Sequence, residues 1–307
     1  MKKLSFLIIM TIIMTIFVGC SEISKGKPHS KDKYPQEFPV NINGVVFSEP
    51  PKKVASLSPA VTEILFEIGV GDKVIARSTY CSFPESVSSL PTVGSPAKPD
   101  IKAIIALKPD VVLTQSPIAV IDVSELDKNG IKVVVLSQPK SYFDILDNYT
   151  IISQIFLGNN KGQDMTTQKM SEFDKLMQQA SDLKITDSYV FIVTQELAVA
   201  TGDTLPSSIL SAFGKNVAKD KKDYSMSAAE IVAAAPSRVF ISNTVDIKKL
   251  SPELQALPAI ASGKAITIDY SLFEKPTSRL ASVVKDLLSK LGANESSSSD
   301  ADSSITK

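Results

Sequence analysis

The residue types that support common catalytic chemistry are scarce in this sequence. His29 is the one histidine among 307 residues, and it lies in a stretch of serine, lysine and proline that is typical of a linker. Zinc sites, Ser-His-Asp triads and Cys-His pairs all need a histidine inside a folded domain. Carboxylate pairs do occur, as at Asp122 and Glu125, but with the spacing of a solvated helix surface. The sequence therefore predicts a protein that is not an enzyme and holds no metal or cofactor.

Missing motifs and balanced charge exclude several classes of activity and partner for this protein. No G-x-S-x-G, Walker or G-x-G-x-x-G motif occurs, and Gly69-Val70-Gly71 predicts only a turn that ends a helix. The 33 basic and 33 acidic side chains leave no surplus positive charge for a phosphate backbone, so no nucleic-acid partner is expected. With 43% apolar and 21% charged residues, the chain has the composition of an ordinary globular protein.

The first twenty residues have the pattern of a secretory signal. Lys2-Lys3 precedes an apolar run from Leu4 to Val18, just before Cys20. Such a run spans about 22 Å at about 1.5 Å per residue, too short to cross a ~30 Å hydrocarbon core permanently. Its end resembles the bacterial lipobox, which implies lipid on Cys20 and an extracytoplasmic protein anchored to the cell membrane. A plain signal peptide with a coincidental cysteine is the alternative. A lipidated Cys20 leaves Cys81 without a disulfide partner.

Changes in composition along the chain predict its organisation. The stretch after Cys20 is rich in Ser, Lys and Pro, with a short extended piece expected at residues 45–47, and the last fifteen residues are rich in serine. The predicted parts are a signal peptide (1–19), a tether (20–50), an N-terminal lobe (51–140), connecting helices (141–184), a C-terminal lobe (185–292) and a disordered tail (293–307).

Short β-branched runs alternate with amphipathic segments of helical length from residue 54 onward, which predicts parallel strands with helices on the sheet faces. The segment 104–113 can be laid over 231–240, 127 residues further on, since each contains a helix that ends at a proline before a strand. Gly130 and Gly263 precede the next strand of each unit. The sequence thus predicts an α/β fold of two similar lobes, each a mainly parallel sheet with flanking helices.

A helical connector is predicted between the lobes. Apolar residues follow a helical stripe over 143–156, and the stretch 161–182 contains no proline. About 20 helical residues span about 30 Å, enough for one long backbone helix to run between the lobes. Such a stiff connector predicts small hinge movements and a ligand cleft between the lobes.

Candidate ligand contacts follow the predicted strands, because α/β sheets bind ligands at the carboxyl ends of their strands. Ser58-Pro59 and Ser116-Pro117 stand at strand ends, where ordinary helix caps and turns are the alternative. The loop Tyr80-Cys81-Ser82-Phe83-Pro84 carries two aromatic rings and a thiol, and it is expected to line the cleft. The segments 201–204 and 270–275 are the counterparts in the second lobe.

An ordered set of motifs resembles one family. They are Lys53 to Glu63, Tyr80 to Pro84, Leu90 to Gly94, Ile104 to Val112, Ile209 to Asn216, Ser227 to Ile241 and Leu272 to Arg279. In this order they are similar to the ABC-importer solute-binding proteins with a rigid helical backbone, which bind cobalamin, haem and ferric siderophores. The likeness is closest to the cobalamin-binding branch. It implies an ABC permease and its ATPase as partners.

The resemblance also implies particular contacts. Together with the loop residues above, it gives this set of predicted ligand-binding residues: Ser58, Tyr80, Cys81, Phe83, Pro96, Gln115, Thr201, Tyr224, Ser271 and Lys275. Family members present one acidic residue on each lobe to the permease. Lys102 and Ala229 occupy those positions here, so the neighbouring Asp100 and Glu230 are the predicted docking residues.

The expected function is that of a lipid-anchored, extracytoplasmic solute-binding protein that captures a corrinoid or iron complex between its lobes and delivers it to an ABC permease. The chain has no tryptophan, which leaves fewer large rings to stack on a corrin. A ferric-siderophore or haem receptor of the same fold is therefore one alternative. The residues at the docking positions, Lys102 and Ala229, leave a non-transport, ligand-sensing lipoprotein as the other.

Overall fold

A computed structural model describes residues 37–302, with side chains described up to Leu291. The predicted signal peptide, Cys20, His29 and the first part of the predicted tether lie outside the described residues, as do residues 303–307.

The described chain alternates between strands and helices. The strands are β1 (Val40–Ile42), β2 (Val45–Phe47), β3 (Val54–Ser56), β4 (Val74–Arg77), β5 (Gly94–Ser95), β6 (Lys98–Pro99), β7 (Val111–Thr114), β8 (Lys132–Val135), β9 (Ser188–Ile192), β10 (Lys215–Asn216), β11 (Arg238–Ser242) and β12 (Ile266–Ile268). The α-helices are α1 (Pro59–Glu67), α2 (Ile101–Leu107), α3 (Val120–Lys128), α4 (Tyr142–Leu157), α5 (Asn159–Asp182), α6 (Leu205–Leu210), α7 (Ala228–Ala234), α8 (Pro252–Gln255), α9 (Pro258–Ala261), α10 (Ser271–Glu274) and α11 (Ala281–Asp302).

Two four-stranded parallel sheets form the centres of the two lobes. The first has the order β4-β3-β7-β8 and the second the order β10-β9-β11-β12. Each lobe therefore places its own second, first, third and fourth strands side by side in the same sequence. The predicted α/β fold with two similar lobes is confirmed. In both sheets the strand order reverses between the first and third strands, which is where such sheets leave a crevice for ligands.

The 127-residue repeat is exact over one helix and its two ends. The helices α2 and α7 each begin after a capping side chain, Asp100 in one lobe and Ser227 in the other. Each ends at a residue in the left-handed region, Lys108 (φ 51°) or Ala235 (φ 44°), directly before a proline. The proline disfavours helical geometry in the residue before it, which stops both helices at the same point.

The connector consists of two helices, and the second of them is the predicted long backbone helix. The helices α4 and α5 meet at Gly158 (φ 92°), where a Cβ atom would lie 2.4 Å from that of Glu37. Tyr142 at the start of α4 packs edge-on against Phe173 near the end of α5, so the two helices run antiparallel. With 24 residues, α5 is about 36 Å long and runs from the N-terminal lobe to the strand that opens the C-terminal lobe.

Both ends of the folded region extend further than predicted. Within the predicted tether, β1 and β2 pair as a hairpin across Asn43-Gly44, and Val40 and Phe47 are buried. Asn-Gly favours the positive φ angles of such a tight turn. At the other end, α11 continues to Asp302 into the predicted disordered tail. Because helices elongate cooperatively, the buried face that ends at Leu291 supplies a start from which the serine-rich segment continues.

The equivalent caps of α2 and α7 make similar contributions to stability. We expect Asp100→Ala and Ser227→Ala each to lower the free energy of unfolding by about 1 kcal/mol, because each leaves a helix N–H without its acceptor. Urea denaturation measures the change. Lys102→Ala, on the exposed side of α2, is the control and should change it by less than about 0.5 kcal/mol. An unchanged stability in either cap variant would contradict the assignment.

Candidate functional site

The loops that follow the carboxyl ends of the two sheets contact each other. Arg279, which follows β12, donates a hydrogen bond to Glu63, which follows β3. Lys140, which follows β8, lies near Asp203, which follows β9. The hydrogen bond from Thr201 is the main cause that lowers the pKa of the Asp203 carboxyl, and the charge of Lys140 adds to it. The two sheets thus present their ligand-binding edges to each other across the space between the lobes, which we call the cleft.

A buried ion pair joins the lobes. The side chain of Glu63 is 1% exposed and that of Arg279 is 42% exposed, and Nη1 of Arg279 lies 3.1 Å from Oε2 of Glu63. The guanidinium also lies 4.4 Å from the centre of the Phe83 ring. Burial raises the pKa of Glu63, whereas its hydrogen bond with Arg279 and the arginine's charge oppose that rise. An arginine from the other lobe thus partly offsets the cost of burying the Glu63 carboxylate.

Further hydrogen bonds connect the same helix with the connector and the C-terminal segment. Oε2 of Glu67 accepts hydrogen bonds from the hydroxyl of Tyr149 and, at 2.8 Å, from that of Ser278. The backbone N–H of Ser278 donates to the Tyr149 hydroxyl at 2.8 Å. Burial and the neighbouring Glu67 charge raise the pKa of Tyr149, so its hydroxyl stays protonated and donates. We call this group the interlobe cluster: Glu63, Glu67, Tyr149, Ser278 and Arg279.

The N-terminal lobe presents two aromatic side chains from the loop after β4. Tyr80 is 64% exposed and Phe83 is 45% exposed. Nη1 of Arg77 holds this loop by donating to the carbonyl oxygens of Ser78 and Cys81, at 3.2 and 2.9 Å. Exposed rings on a fixed loop form a wall that suits a flat or bulky apolar ligand.

Cys81 does not line the cleft, and this corrects the expectation. It is 1% exposed. Its Sγ lies 3.1 Å from Oγ1 of Thr62, which donates to it, and 3.2 Å from Oγ of Ser78. The thiol faces inward because the loop turns its aromatic side chains outward. Cys81 instead supports the loop from beneath.

Ser58 and Gln115 are brought together, but below the surface of the cleft. Both are buried, and Oγ of Ser58 donates to Oε1 of Gln115. Nε2 of Gln115 donates to the carbonyl oxygen of Ser137 at 3.0 Å. These bonds link the loops after β3, β7 and β8. Ser58 precedes α1, yet its side chain does not cap that helix, so the alternative reading as an ordinary cap is wrong for this residue. Pro96 is half-buried in the turn between β5 and β6.

The C-terminal lobe presents a wall of tyrosines. The hydroxyls of Tyr224 and Tyr270 lie 3.4 Å apart. The ring of Tyr270 stacks on that of Phe273 with 6.0 Å between their centres. Burial, followed by the hydrogen bond with Tyr224, raises the pKa of the Tyr270 hydroxyl, so it remains neutral over the physiological range. The stacked rings hold the wall rigid.

The predicted polar contacts of this lobe have different surroundings. Ser271 is exposed, and its hydroxyl donates to Oδ1 of Asp269 at 2.7 Å. Lys275 is half-buried in the same segment. Thr201 is 0% exposed, which corrects the expectation that its side chain lines the cleft. Its backbone follows the sheet edge closely, so its hydroxyl points into the lobe and bonds to Asp203.

The two predicted docking carboxylates lie at the starts of α2 and α7, Asp100 as the N-cap residue of α2 and Glu230 as the third residue of α7. Asp100 accepts the N–H of Ala103 at 3.0 Å. Glu230 closes a capping box with Ser227 and pairs with Lys221, and these hydrogen bonds lower its pKa to about 2. Both side chains are exposed, and both also satisfy backbone N–H groups of their own helix.

Two cavities lie in the C-terminal lobe. One, of about 470 Å³, is lined by the loop 194–198 and by residues 223–227, and it includes Tyr224. The other, of about 940 Å³, lies at the amino ends of β11 and β12, beside Arg238 and Lys264. The larger cavity is therefore at the opposite edge of the sheet from the cleft.

In the part of the chain that the structure describes, no cluster of three or more His, Cys, Asp or Glu side chains has the arrangement to hold a metal ion. No helix in this part combines the length and apolar character needed to cross a membrane.

Two parallel sheets of one strand order, joined by a helical connector and facing each other at their carboxyl ends, define the class of two-lobed solute-binding proteins. The chain belongs to the periplasmic binding protein family, which it matches over residues 54–272. The family expected from the sequence motifs is confirmed.

This chain shares 19–26% sequence identity with each of three similar proteins. The chain is 24% identical over 288 residues to YvrC of Bacillus subtilis, an uncharacterized ABC transporter substrate-binding lipoprotein, with 89% of this chain and 91% of that one covered. It is 26% identical over 242 residues to a vitamin B12-binding protein of Vibrio vulnificus, covering 75% of this chain and 86% of the other. Its fold is similar to that of the periplasmic haem-binding protein RhuT of Roseiflexus (TM-score 0.65, 19% identity, 78% of this chain and 97% of that one).

Sequence reasoning missed the pairing of Glu63 with Arg279. Both residues belong to the motifs that carry the family resemblance, but they are 216 positions apart. No local periodicity links positions so distant. The signal available was the residue types alone, a glutamate within an otherwise apolar helix and an arginine late in the chain.

The ion pair should make stability depend on pH in a defined direction. Because the folded-state pKa of Glu63 is raised, its stabilising contribution is present below the ordinary value of 4.5 and is lost as the pH rises through the raised pKa. Arg279→Gln removes the opposing influence, so this loss becomes larger. We expect the variant to lose about 2 kcal/mol at about pH 7 and less at about pH 4, measured by urea denaturation.

The double variant Glu63→Gln/Arg279→Gln is the control, because it carries no carboxyl to titrate. It should recover most of the stability at about pH 7. Equal losses at both pH values in Arg279→Gln would show that the guanidinium acts through packing alone.

Proposed function

We propose that this protein is the lipid-anchored substrate-binding component of an ABC importer and that it captures a corrinoid or an iron complex in the cleft. The observation that carries the proposal is the pair of aromatic walls, Tyr80 with Phe83 on one lobe and Tyr224 with Tyr270 on the other. Both stand at the carboxyl ends of parallel strands, where α/β folds bind ligands. Shape complementarity and ring contacts hold the ligand, and no bond is made or broken.

A bulky, largely apolar ring system suits these walls better than an ion does. Exposed Tyr and Phe rings offer flat surfaces with few fixed charges. The relative named as a vitamin B12-binding protein supports a corrinoid. Without tryptophan, tyrosine and phenylalanine rings supply the stacking, and the tyrosine hydroxyls add hydrogen bonds at the rim. Lys275 and Ser271 are the proposed polar contacts beside the second wall.

Binding is tested with the full chain purified in detergent and titrated with cyanocobalamin, haemin and a ferric siderophore. We expect saturable binding of one of the three, followed through the ligand's visible absorption. Haemin or siderophore binding would assign the ligand within the proposed class. No binding across the panel would overturn the proposal.

The first wall is tested by Tyr80→Ala. We expect the affinity for the bound compound to fall about tenfold, because a stacked ring contributes about 1.5 kcal/mol. The melting temperature should stay unchanged, because the side chain is 64% exposed. Phe143→Ala is the matched control, since this ring is 75% exposed on α4 and is not a proposed contact. Equal effects of the two variants would contradict the assignment.

Membrane anchoring through Cys20 is tested by fractionation of cells. The wild-type chain should remain with the membranes, because a diacylated N-terminus supplies two acyl chains. Cys20→Ser should move the protein into the soluble extracytoplasmic fraction. A variant that stays with the membranes would favour a plain signal segment that is retained.

A non-transport, ligand-sensing lipoprotein is the second candidate, and the docking surface favours it. Lys102 and Ala229 leave Asp100 and Glu230 as the acidic groups of α2 and α7, and both already bond to their own helices. Uptake of labelled ligand by cells separates the two functions. Uptake that depends on this protein supports transport, whereas binding without uptake supports sensing.

A further inference from the structure

Two consecutive residues of the second wall have a strained backbone. Asp223 (φ 57°) and Tyr224 (φ 58°) both lie in the left-handed region, and neither is glycine. The Cβ atom of an ordinary residue crowds the following carbonyl oxygen in this conformation, most severely when the side chain is bulky. Such geometry persists where the surrounding structure enforces it, and it concentrates at ligand clamps and functional loops.

Two side chains from the loop after β9 hold Asp223 and Tyr224 in the left-handed conformation. Oγ1 of Thr201 donates to Oδ1 of Asp203 at 2.7 Å and accepts the N–H of Tyr224 at 3.1 Å. Oδ2 of Asp203 accepts the N–H of Asp223 at 3.2 Å. A hydroxyl has one proton and two lone pairs, so Thr201 makes both bonds at once. We call Thr201 and Asp203 the clamp.

The held segment is fixed on its other side as well. The carbonyl oxygen of Tyr224 accepts the N–H of Val199 at 2.9 Å, and Ser225 forms a bridge with Ala198. The Tyr224 hydroxyl then lies 3.4 Å from that of Tyr270. Contacts within the protein therefore hold both the backbone and the ring of Tyr224.

The loop that carries the clamp lies very close to the segment that precedes Asp223. A Cβ atom on Gly202, between the two clamp residues, would lie 1.8 Å from the carbonyl oxygen of Lys219. The clamp loop thus presses directly on the segment that leads to Asp223. Only glycine fits at this contact.

We propose that Thr201 and Asp203 are positioning residues, which hold Asp223 and Tyr224 in the left-handed conformation so that the Tyr224 ring stands at the cleft wall before the ligand arrives. This inference rests on the proposed function, in which the cleft is the ligand site. A ring that is already ordered loses less conformational freedom on binding, so preorganisation raises affinity.

The positioning is tested without ligand by NMR of the full chain carrying ¹³C-labelled tyrosine rings. Tyr224→Phe identifies the Tyr224 signal by its disappearance. In Thr201→Val, which removes the hydroxyl at nearly constant volume, that signal should move toward the position of free tyrosine, whereas the Tyr149 and Tyr189 signals stay in place. An unmoved Tyr224 signal would overturn the proposal.

The consequence for binding is tested by a double-mutant cycle with the panel compound that the wild type binds. Thr201→Val and Tyr224→Ala should each lower the affinity about tenfold, and Thr201→Val should have no further effect in the Tyr224→Ala background, because the clamp acts through that ring. Additive losses would assign Thr201 a purely structural role. If the wild type binds no panel compound, the proposed function fails, while the NMR signal still decides the positioning.

Asp203→Ala covers the case in which Thr201→Val does not fold, because Oδ2 of Asp203 accepts the N–H of Asp223. This variant should release the held segment, shift the Tyr224 NMR signal and lower the affinity. Asp223→Gly is the control, because it keeps both backbone N–H groups and adopts a positive φ without strain, so the Tyr224 signal should stay in place. An unmoved Tyr224 signal in Asp203→Ala would contradict the clamp.

Discussion

The geometry of the cleft depends on one buried ionic contact, the pair of Glu63 with Arg279. A carboxylate that is almost wholly removed from water is costly unless a positive charge and hydrogen bonds compensate it. The compensating arginine comes from the segment after β12, whereas the glutamate belongs to the first helix of the other lobe. Glu67, Tyr149 and Ser278 extend the contact to the connector. The lobes therefore meet at a polar cluster of directional hydrogen bonds and one ion pair.

The two lobes share one arrangement of strands and helices but present different side chains to the cleft. The strand order and the capped helices α2 and α7 coincide, since they are set by packing that both lobes share. The loops at the carboxyl ends of the strands do not take part in this shared packing, so they differ between the two lobes. One lobe presents Tyr80 and Phe83 beside the ion pair, and the other presents Tyr224 on stacked rings. A duplicated frame thus carries two unlike aromatic walls.

Several polar residues that look like ligand contacts in the sequence turn out to support the walls. Ser58 binds Gln115, Cys81 lies against Thr62, and Thr201 holds Asp203. A hydroxyl, amide or thiol at a strand end has two possible directions, toward the cleft or back toward the neighbouring strand end. Residue type does not distinguish them. Burial of the loop decides, because each polar group turned inward must find a partner there.

The sequence by itself determined the features that depend on near neighbours. Hydrophobic period and proline stops predicted the parallel strands and the repeat of 127 residues, whereas composition assigned the residues of the β1-β2 hairpin to a tether. Tertiary structure alone decided the reversal of the connector at Gly158, the burial of Cys81 and the pairing of Glu63 with Arg279 across 216 positions. Local patterns record the conformational preferences of adjacent residues. Contacts between distant segments depend on how whole lobes pack, and that information is spread over the entire chain.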